Sequence, residues 1–390
     1  MRIDMDIKIP KNFFGEDIDL TVFISEAQMQ DKRVGKIFGK YFEDTGIFNI
    51  YPEELINRGD LLGEILPENS NPDENGFCGI VTADGIDFFY KAKKITTESY
   101  SLYQNIFSRN KGILETDVMG KKCAVILGCG SVGSLVALEL ARAGVGHFVL
   151  VDADTLEYHN LCRHQCGIED VGDLKVNALK RKLININPSV DVRIFGGIIQ
   201  NIPKTILDEM CVPKETIFVG CADNRTADVY SNKIAIYYDA AFLSIGFWER
   251  AYAGEIFYHI PEKGMPCYQC ALGDGGNMSG RVEANHHVYS NQENIEGIKF
   301  EPGISVDINF ITSIGIKLII DILNSNSENY TPRLLNNLKQ YTLVCNTNNP
   351  DVGGEMVEIF SYPLQVTTSL IVGFSKTCNG QCKYELEDKE

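Results

Sequence analysis

Lys121–Asp154 reads KKCAVILGCGSVGSLVALELARAGVGHFVLVDAD. Cys123 to Leu127 is a continuous apolar run, the pattern of a parallel strand buried on both faces. Gly128-Cys129-Gly130-Ser131-Val132-Gly133 follows as a G-x-G-x-x-G turn. Ser131 to Ala143 is helical, with Val132, Leu135, Val136, Leu138 and Leu140 available to a sheet. Gly144 and Gly146 end that helix, and Phe148 to Val151 supplies a second strand. The glycines let the backbone turn tightly and approach a phosphate, and the helix N-terminus offers free N–H donors and a positive dipole end. Asp152 stands 19 residues after Gly133, at the end of the second strand, where an acid bonds a ribose hydroxyl. The stretch therefore predicts an adenine-nucleotide site. On these residues alone an NAD-dependent dehydrogenase fits as well.

Working outward, Lys175 to Ile186 reads as a helix, DVRIFGG as a third strand, TIFVGCADN as a fourth, and the apolar text near Leu243 as a fifth. This alternation predicts an α/β fold, a Rossmann-like mostly parallel sheet with helices on both faces. Asp307 to Leu323 is a long apolar helix, and EMVEIFSY and LQVTTSLIVGF read as strands. Residues 1–105 are expected to form a separate N-terminal α+β domain serving docking or partner recognition, ahead of a nucleotide-binding domain over 106–390. In it DIDLTVFIS alternates as a strand, and QDKRVGKIFGKYFED has apolar residues at helical spacing. FCGIVT and IDFFY flank Ala83-Asp84-Gly85 as a hairpin.

The 390 residues suggest two to three domains at about 150 each. With 36 Lys and Arg against 53 Asp and Glu, the net charge is −17. That balance argues against sequence-independent binding to nucleic acid or an anionic membrane, which need a basic face. No run of 18 apolar residues occurs, and MRIDMDIKIP has no apolar signal core, so a cytoplasmic protein is expected. Twelve cysteines in such a compartment are not a disulfide framework.

The stretch after the second strand, DADTLEYHNLCRHQCGIEDVGDLK, carries Asp154, Asn160, Arg163 and Lys175 together. Hydride transfer needs no such set, whereas a nucleoside triphosphate about to be cleaved does. Arginine offers a fork matching phosphate, and lysine a point charge against growing negative charge. A carboxylate is then needed for magnesium, and Asp223 in GCADN suits it.

GCGSVGS, LVDADTLEYHNLCRH, DVGDLK, INP and CADN together resemble the ThiF/MoeB/HesA family of ubiquitin-activating-type adenylyltransferases, over roughly residues 105–385. The resemblance implies ATP-dependent adenylation of the C-terminal carboxylate of a ubiquitin-like or sulfur-carrier protein, with pyrophosphate released. It implies that Gly128, Gly130, Ser131, Gly133, Asp152, Asp154 and Asn160 bind the nucleotide. Arg163, Lys175 and Asp223 would act on the phosphates and Mg2+. Arg109, in Phe107-Ser108-Arg109-Asn110, would reach the site of a homodimer partner. Two departures stand out: Arg163-His164 where the family commonly reads Arg-Gln, and Ser131 where it has a further glycine. The extra N-terminal domain is more like bacterial members tied to ubiquitin-like conjugation, which implies a conjugating enzyme as a possible partner. The alternative is adenylation of a peptide natural-product precursor, as in microcin-type relatives.

Cys267-Tyr-Gln-Cys270 and Cys378-Asn-Gly-Gln-Cys382 are two short cysteine knuckles, and four such ligands suit a closed structural zinc site. The family resemblance, in which many members carry such a zinc, strengthens this expectation. The crossover segment from Ala271 to Val306, where relatives can carry an acyl-accepting cysteine, contains none. The expectation is therefore direct transfer of the adenylate to an external acceptor, with an ester on a crossover serine (Ser279, Ser290 or Ser305) as the second choice, and in either case no thioester.

Overall fold

The computed structural model describes residues 19–102, 106–222, 224–272 and 302–375. The chain divides into two compact units, residues 1–108 and 109–390.

In the first unit the strands are β1 (Thr21–Ser25), β2 (Gly35–Phe42), β3 (Ile47–Ile50), β4 (Asp60–Leu66), β5 (Phe77–Val81), β6 (Ile86–Tyr90), β7 (Lys93–Lys94) and β8 (Thr96–Tyr100). They form one sheet in the order β7-β6-β5-β4-β2-β3-β1-β8. Val22, Ile24, Ile37, Phe48, Phe77 and Phe88 make its core. The Phe48 and Phe77 rings stack with centroids 4.3 Å apart. The expected hairpin is present as the antiparallel β5–β6 pair, closed by Thr82 N–H donating to the Gly85 carbonyl. The expected helix over 30–44 is corrected: Gly35–Phe42 is strand β2, paired with both β3 and β4. Val34, Ile37, Phe38, Tyr41 and Phe42 do follow helical spacing, but Gly35 and Gly39 weaken a helix. Gly39 also lies so close to β3 that a Cβ there would stand 2.1 Å from the Asn49 carbonyl oxygen.

The second unit holds β9 (Cys123–Leu127), β10 (His147–Val151), β11 (Asp191–Phe195), β12 (Thr216–Gly220), β13 (Ala241–Phe247), β14 (Ala253–His259), β15 (Tyr341–Cys345) and β16 (Val366–Leu370). Their order is β11-β10-β9-β12-β13-β14-β15-β16. β11 through β13 pair in parallel, and β14 to β16 extend the sheet antiparallel. Both faces are covered. Ala124 and Ile126 of β9 enter one core with the Ser131–Arg142 and Ser305–Leu323 helices, while Cys123, Val125 and Leu127 enter the opposite one. Double burial is why β9 reads as an unbroken apolar run. Two segments differ from expectation. EMVEIFSY is largely a 3-10 helix, Gly354–Ile359, burying Val357 and Phe360 three apart while Met356 and Ile359 stay exposed. β14 and β15 are strands beyond those expected, and in β14 Glu255 and His259 stand inside the core and break the apolar signal. Among the described residues no helix is long and apolar enough to cross a membrane.

Candidate active site

In an open parallel sheet, ligands bind beyond the carboxyl ends of the strands, where the chain reverses its order of addition. Here β9 is that point, flanked by β10 on one side and β12 on the other. A pocket of about 830 Å³ opens there. It is lined by the segments leaving all five parallel strands: Gly128, Asp152, Gly197, Cys221 and Phe247 each mark one.

The three turn glycines have different jobs. Gly128 has φ +93°, and a Cβ there would meet the Ala222 backbone at 2.8 Å, so it closes β9 against the end of β12. Gly133 has no room either, since its Cβ would stand 1.8 Å from the Gly128 carbonyl oxygen. That contact packs the helix on the turn. Around Gly130 nothing among the described residues stands within 4 Å of where a Cβ would be. Gly130 and Ser131 line the pocket at the start of the Ser131–Arg142 helix. Open space at the middle glycine, at a helix N-terminus, is room for a phosphate.

Asp152 also lines the pocket, and its carboxylate accepts from the Cys129 amide at 2.6 Å and the Asp154 amide at 2.8 Å. Burial pushes this carboxyl above its ordinary range, while Lys175 and the two amides pull it back. Lys175 donates to Asp154 Oδ2 at 2.7 Å. The lysine side chain is only 11 % exposed, but Asp154 is 69 % exposed. An ion pair with so wet a partner is worth roughly 0–1 kcal/mol, so a phosphate can take the lysine over at little cost. Asn160 accepts from the Glu157 amide and caps the short turn Tyr158–Asn160. Arg163 lines the same pocket and forms no ion pair among the described residues.

Gly128, Gly130, Ser131, Asp152, Asp154, Asn160, Arg163 and Lys175 thus converge on one pocket, and Gly133 supports its floor. Residues 108–352 match the ThiF family, more than half of the chain. The chain belongs to the ThiF family. It is similar to ubiquitin-like modifier-activating enzyme 5 of Caenorhabditis elegans, 29% identical over 166 residues, 40% of this chain and 39% of that protein. It is also similar to the sulfur carrier protein ThiS adenylyltransferase of Bacillus subtilis (strain 168), 34% identical over 154 residues, 38% of this chain and 43% of that one. The chain thus spans about two fifths of the length of these relatives. A crystal structure of E. coli MccB with ATP covers 67% of each chain at 22% identity and a TM-score of 0.47.

Other expected residues of this ThiF-family chain fall elsewhere. Asp223 lies outside the described residues, although Ala222 and Asn224 line the pocket. Arg109 is exposed and does not line this pocket. Cys267 and Cys270 are buried with their Sγ atoms 3.6 Å apart, whereas Cys378 and Cys382 lie outside the described residues. So does most of the crossover segment, 273–301. No cluster of three metal-binding side chains occurs among the described residues.

Sequence reading missed two sets of lining residues. One is Gly197–Gln200 after β11, signalled only by the Gly196-Gly197 pair at a strand end. The other is the apolar arm of Ile245, Phe247, Trp248 and Ile308. His164, buried at 7 % exposure, also lines the pocket.

Proposed function

We propose that this chain activates the C-terminal carboxylate of a ubiquitin-like or sulfur-carrier protein by ATP-dependent adenylation. The observation carrying the reading is the meeting of an open glycine turn with Asp152, Asn160, Arg163 and Lys175 in one pocket. Family membership supports it, as do the names of the relatives, a ubiquitin-like modifier-activating enzyme and a sulfur-carrier adenylyltransferase.

A carboxylate oxygen of the partner attacks the α-phosphorus of ATP. The bond from that phosphorus to the α,β-bridging oxygen breaks, and pyrophosphate leaves with the electron pair. No side-chain nucleophile is required, so the protein contributes positioning and charge. Asp152 receives the ribose, the Gly130–Ser131 backbone receives phosphate oxygens, and Arg163, Lys175 and Asn160 offset the growing charge. Asp223 would hold Mg2+, a hard cation that takes carboxylate oxygens, and the ion would supply positive charge against the phosphates. Arg109 acts across a homodimer on the partner copy's site. The N-terminal unit recognises the protein to be activated or a conjugating enzyme, and the setting is the cytoplasm.

Zinc fits the first cysteine knuckle. Two thiolates held at about 2.3 Å on a tetrahedral zinc stand about 3.8 Å apart, and Cys267 and Cys270 stand 3.6 Å apart. Cys378 and Cys382 complete the four ligands in this proposal. Four such ligands would leave no water position, so the ion would be structural.

The test is ATP–pyrophosphate exchange with candidate ubiquitin-like proteins and, in parallel, short peptides. Exchange with a folded carrier supports the reading. Exchange with peptides alone replaces it by activation of a peptide precursor, and binding of NAD in place of ATP refutes both.

A further inference from the structure

We propose that His164 is a positioning residue whose ring holds the Cys129–Gly130 peptide in the orientation that receives the nucleotide's phosphates. The proposal rests on the adenylation reading and goes beyond it by assigning a residue that touches the turn and no reacting atom.

Cys129 is held at both of its backbone groups. Its N–H donates to Asp152 Oδ2 at 2.6 Å, and its carbonyl lies 2.7 Å from His164 Nε2. The Cys166 N–H donates to His164 Nδ1 at 3.0 Å. Nδ1 is thereby an acceptor and carries no proton, so Nε2 carries it and donates to the Cys129 carbonyl. The tautomer is set by the chain itself.

The next peptide group is trans. In a trans peptide the C=O and the following N–H point to opposite sides. Fixing the Cys129 carbonyl therefore fixes the direction of the Gly130 N–H. A glycine needs this restraint more than any other residue type, because it has no Cβ to limit its dihedrals, and among the described residues nothing stands within 4 Å of the Gly130 Cβ position. His164 supplies from another segment the restraint that the open site denies.

The histidine is itself anchored in the phosphate segment. Its backbone N–H donates to the Asn160 carbonyl at 2.8 Å, and Arg163 N–H donates to the same oxygen at 3.0 Å. Just beyond it, the Gln165 N–H donates to Ser134 Oγ at 3.4 Å, in the first turn of the helix that the glycine turn opens. Arg163 and the turn thus keep their relative position through the His164 ring.

Two substitutions separate the two ring nitrogens. In His164→Asn the amide oxygen reaches only the Nδ1 position, keeping the Cys166 bond and losing the bond to the turn. In His164→Gln the amide nitrogen reaches the Nε2 position and restores the bond to the turn. Binding of MgATP to the full chain is measured by titration calorimetry for wild type and both variants, with melting temperatures recorded alongside. His164→Asn should weaken MgATP binding about tenfold, the scale of one lost oriented hydrogen bond, and His164→Gln should recover most of it. Equal affinity in all three proteins, or equal losses in both variants that follow their melting temperatures, overturns the positioning role and leaves adenylation intact. Failure of the wild type to bind MgATP overturns the adenylation reading, and this inference with it.

Discussion

Gly130→Ala and Gly133→Ala should have opposite consequences although they sit three residues apart in one turn. At Gly133 the new methyl would stand 1.8 Å from the Gly128 carbonyl oxygen, a backbone atom that can move only with the whole turn. Overpacking of this kind costs about 1–3 kcal/mol or more. The gain from alanine's better helix propensity, about 1 kcal/mol, offsets it only in part. Gly133→Ala should therefore lower the melting temperature. At Gly130 the methyl enters open space, and φ is −78°, so alanine meets no left-handed penalty. A poorer helix cap is balanced by a stiffer unfolded chain, leaving stability within about 1 kcal/mol of wild type. The methyl does occupy the space assigned to phosphate. Losing one charge-assisted hydrogen bond there costs about 1.5–3 kcal/mol, which is about 10- to 100-fold in the Kd for MgATP. Thermal denaturation and calorimetric titration with MgATP read the two effects separately. If Gly130→Ala binds MgATP as tightly as wild type, the phosphates do not rest on this turn and the reasoning fails.

Arg163→Ala and Asp223→Ala should each abolish pyrophosphate exchange while the protein stays folded, since a transition-state charge partner contributes about 3 kcal/mol or more; exchange near the wild-type rate in both would remove the assignment. Elemental analysis should find one zinc per chain, lost with a drop in thermal stability in Cys267→Ser, and a metal-free wild-type protein counts against the site. Burial pushes the Cys166 thiol up to about 12 and the Cys129 thiol well above its usual value, so neither is a ready thiolate. No reductant-labile enzyme–partner band should form with ATP, and a band that vanishes on mutating one cysteine would identify that cysteine as catalytic. Burial also lowers His259 to about 4 and pulls His164 down. The unfolded chain then takes up these protons first, so stability is full above pH ~6.5 and falls as pH drops toward 4. The His259 share at pH 5 is about 2 kcal/mol, and denaturant midpoints that do not fall between pH 7.5 and 5 would contradict it.

The parallel half of the second sheet was legible in the sequence because its signals are local. β9, the turn, the Ser131–Arg142 helix and β10 are consecutive, and burial on both faces turns each strand into an apolar run of nearly the observed length. Asp152, Asp154, Asn160, Arg163 and Lys175 share the segment that follows β10, and they meet the glycine turn that follows β9 because parallel strands deliver their following loops to the same edge. Where two local patterns coincide, sequence cannot choose. Val34, Ile37, Phe38, Tyr41 and Phe42 satisfy a helical period, and only pairing with β3 and β4, with Gly39 pressed against Asn49, makes that segment a strand. β14 hides Glu255 behind the Trp248 indole N–H, a partner that exists only once β13 and β14 are side by side. His164 is the sharpest case. By itself it is one histidine beside an arginine. Its role comes from a carbonyl 35 residues earlier in the chain, at 2.7 Å, and from the amide that fixes its other nitrogen. Local sequence sets periodicity and the chemistry a residue type can offer, and the packing of distant segments decides which of those groups meet.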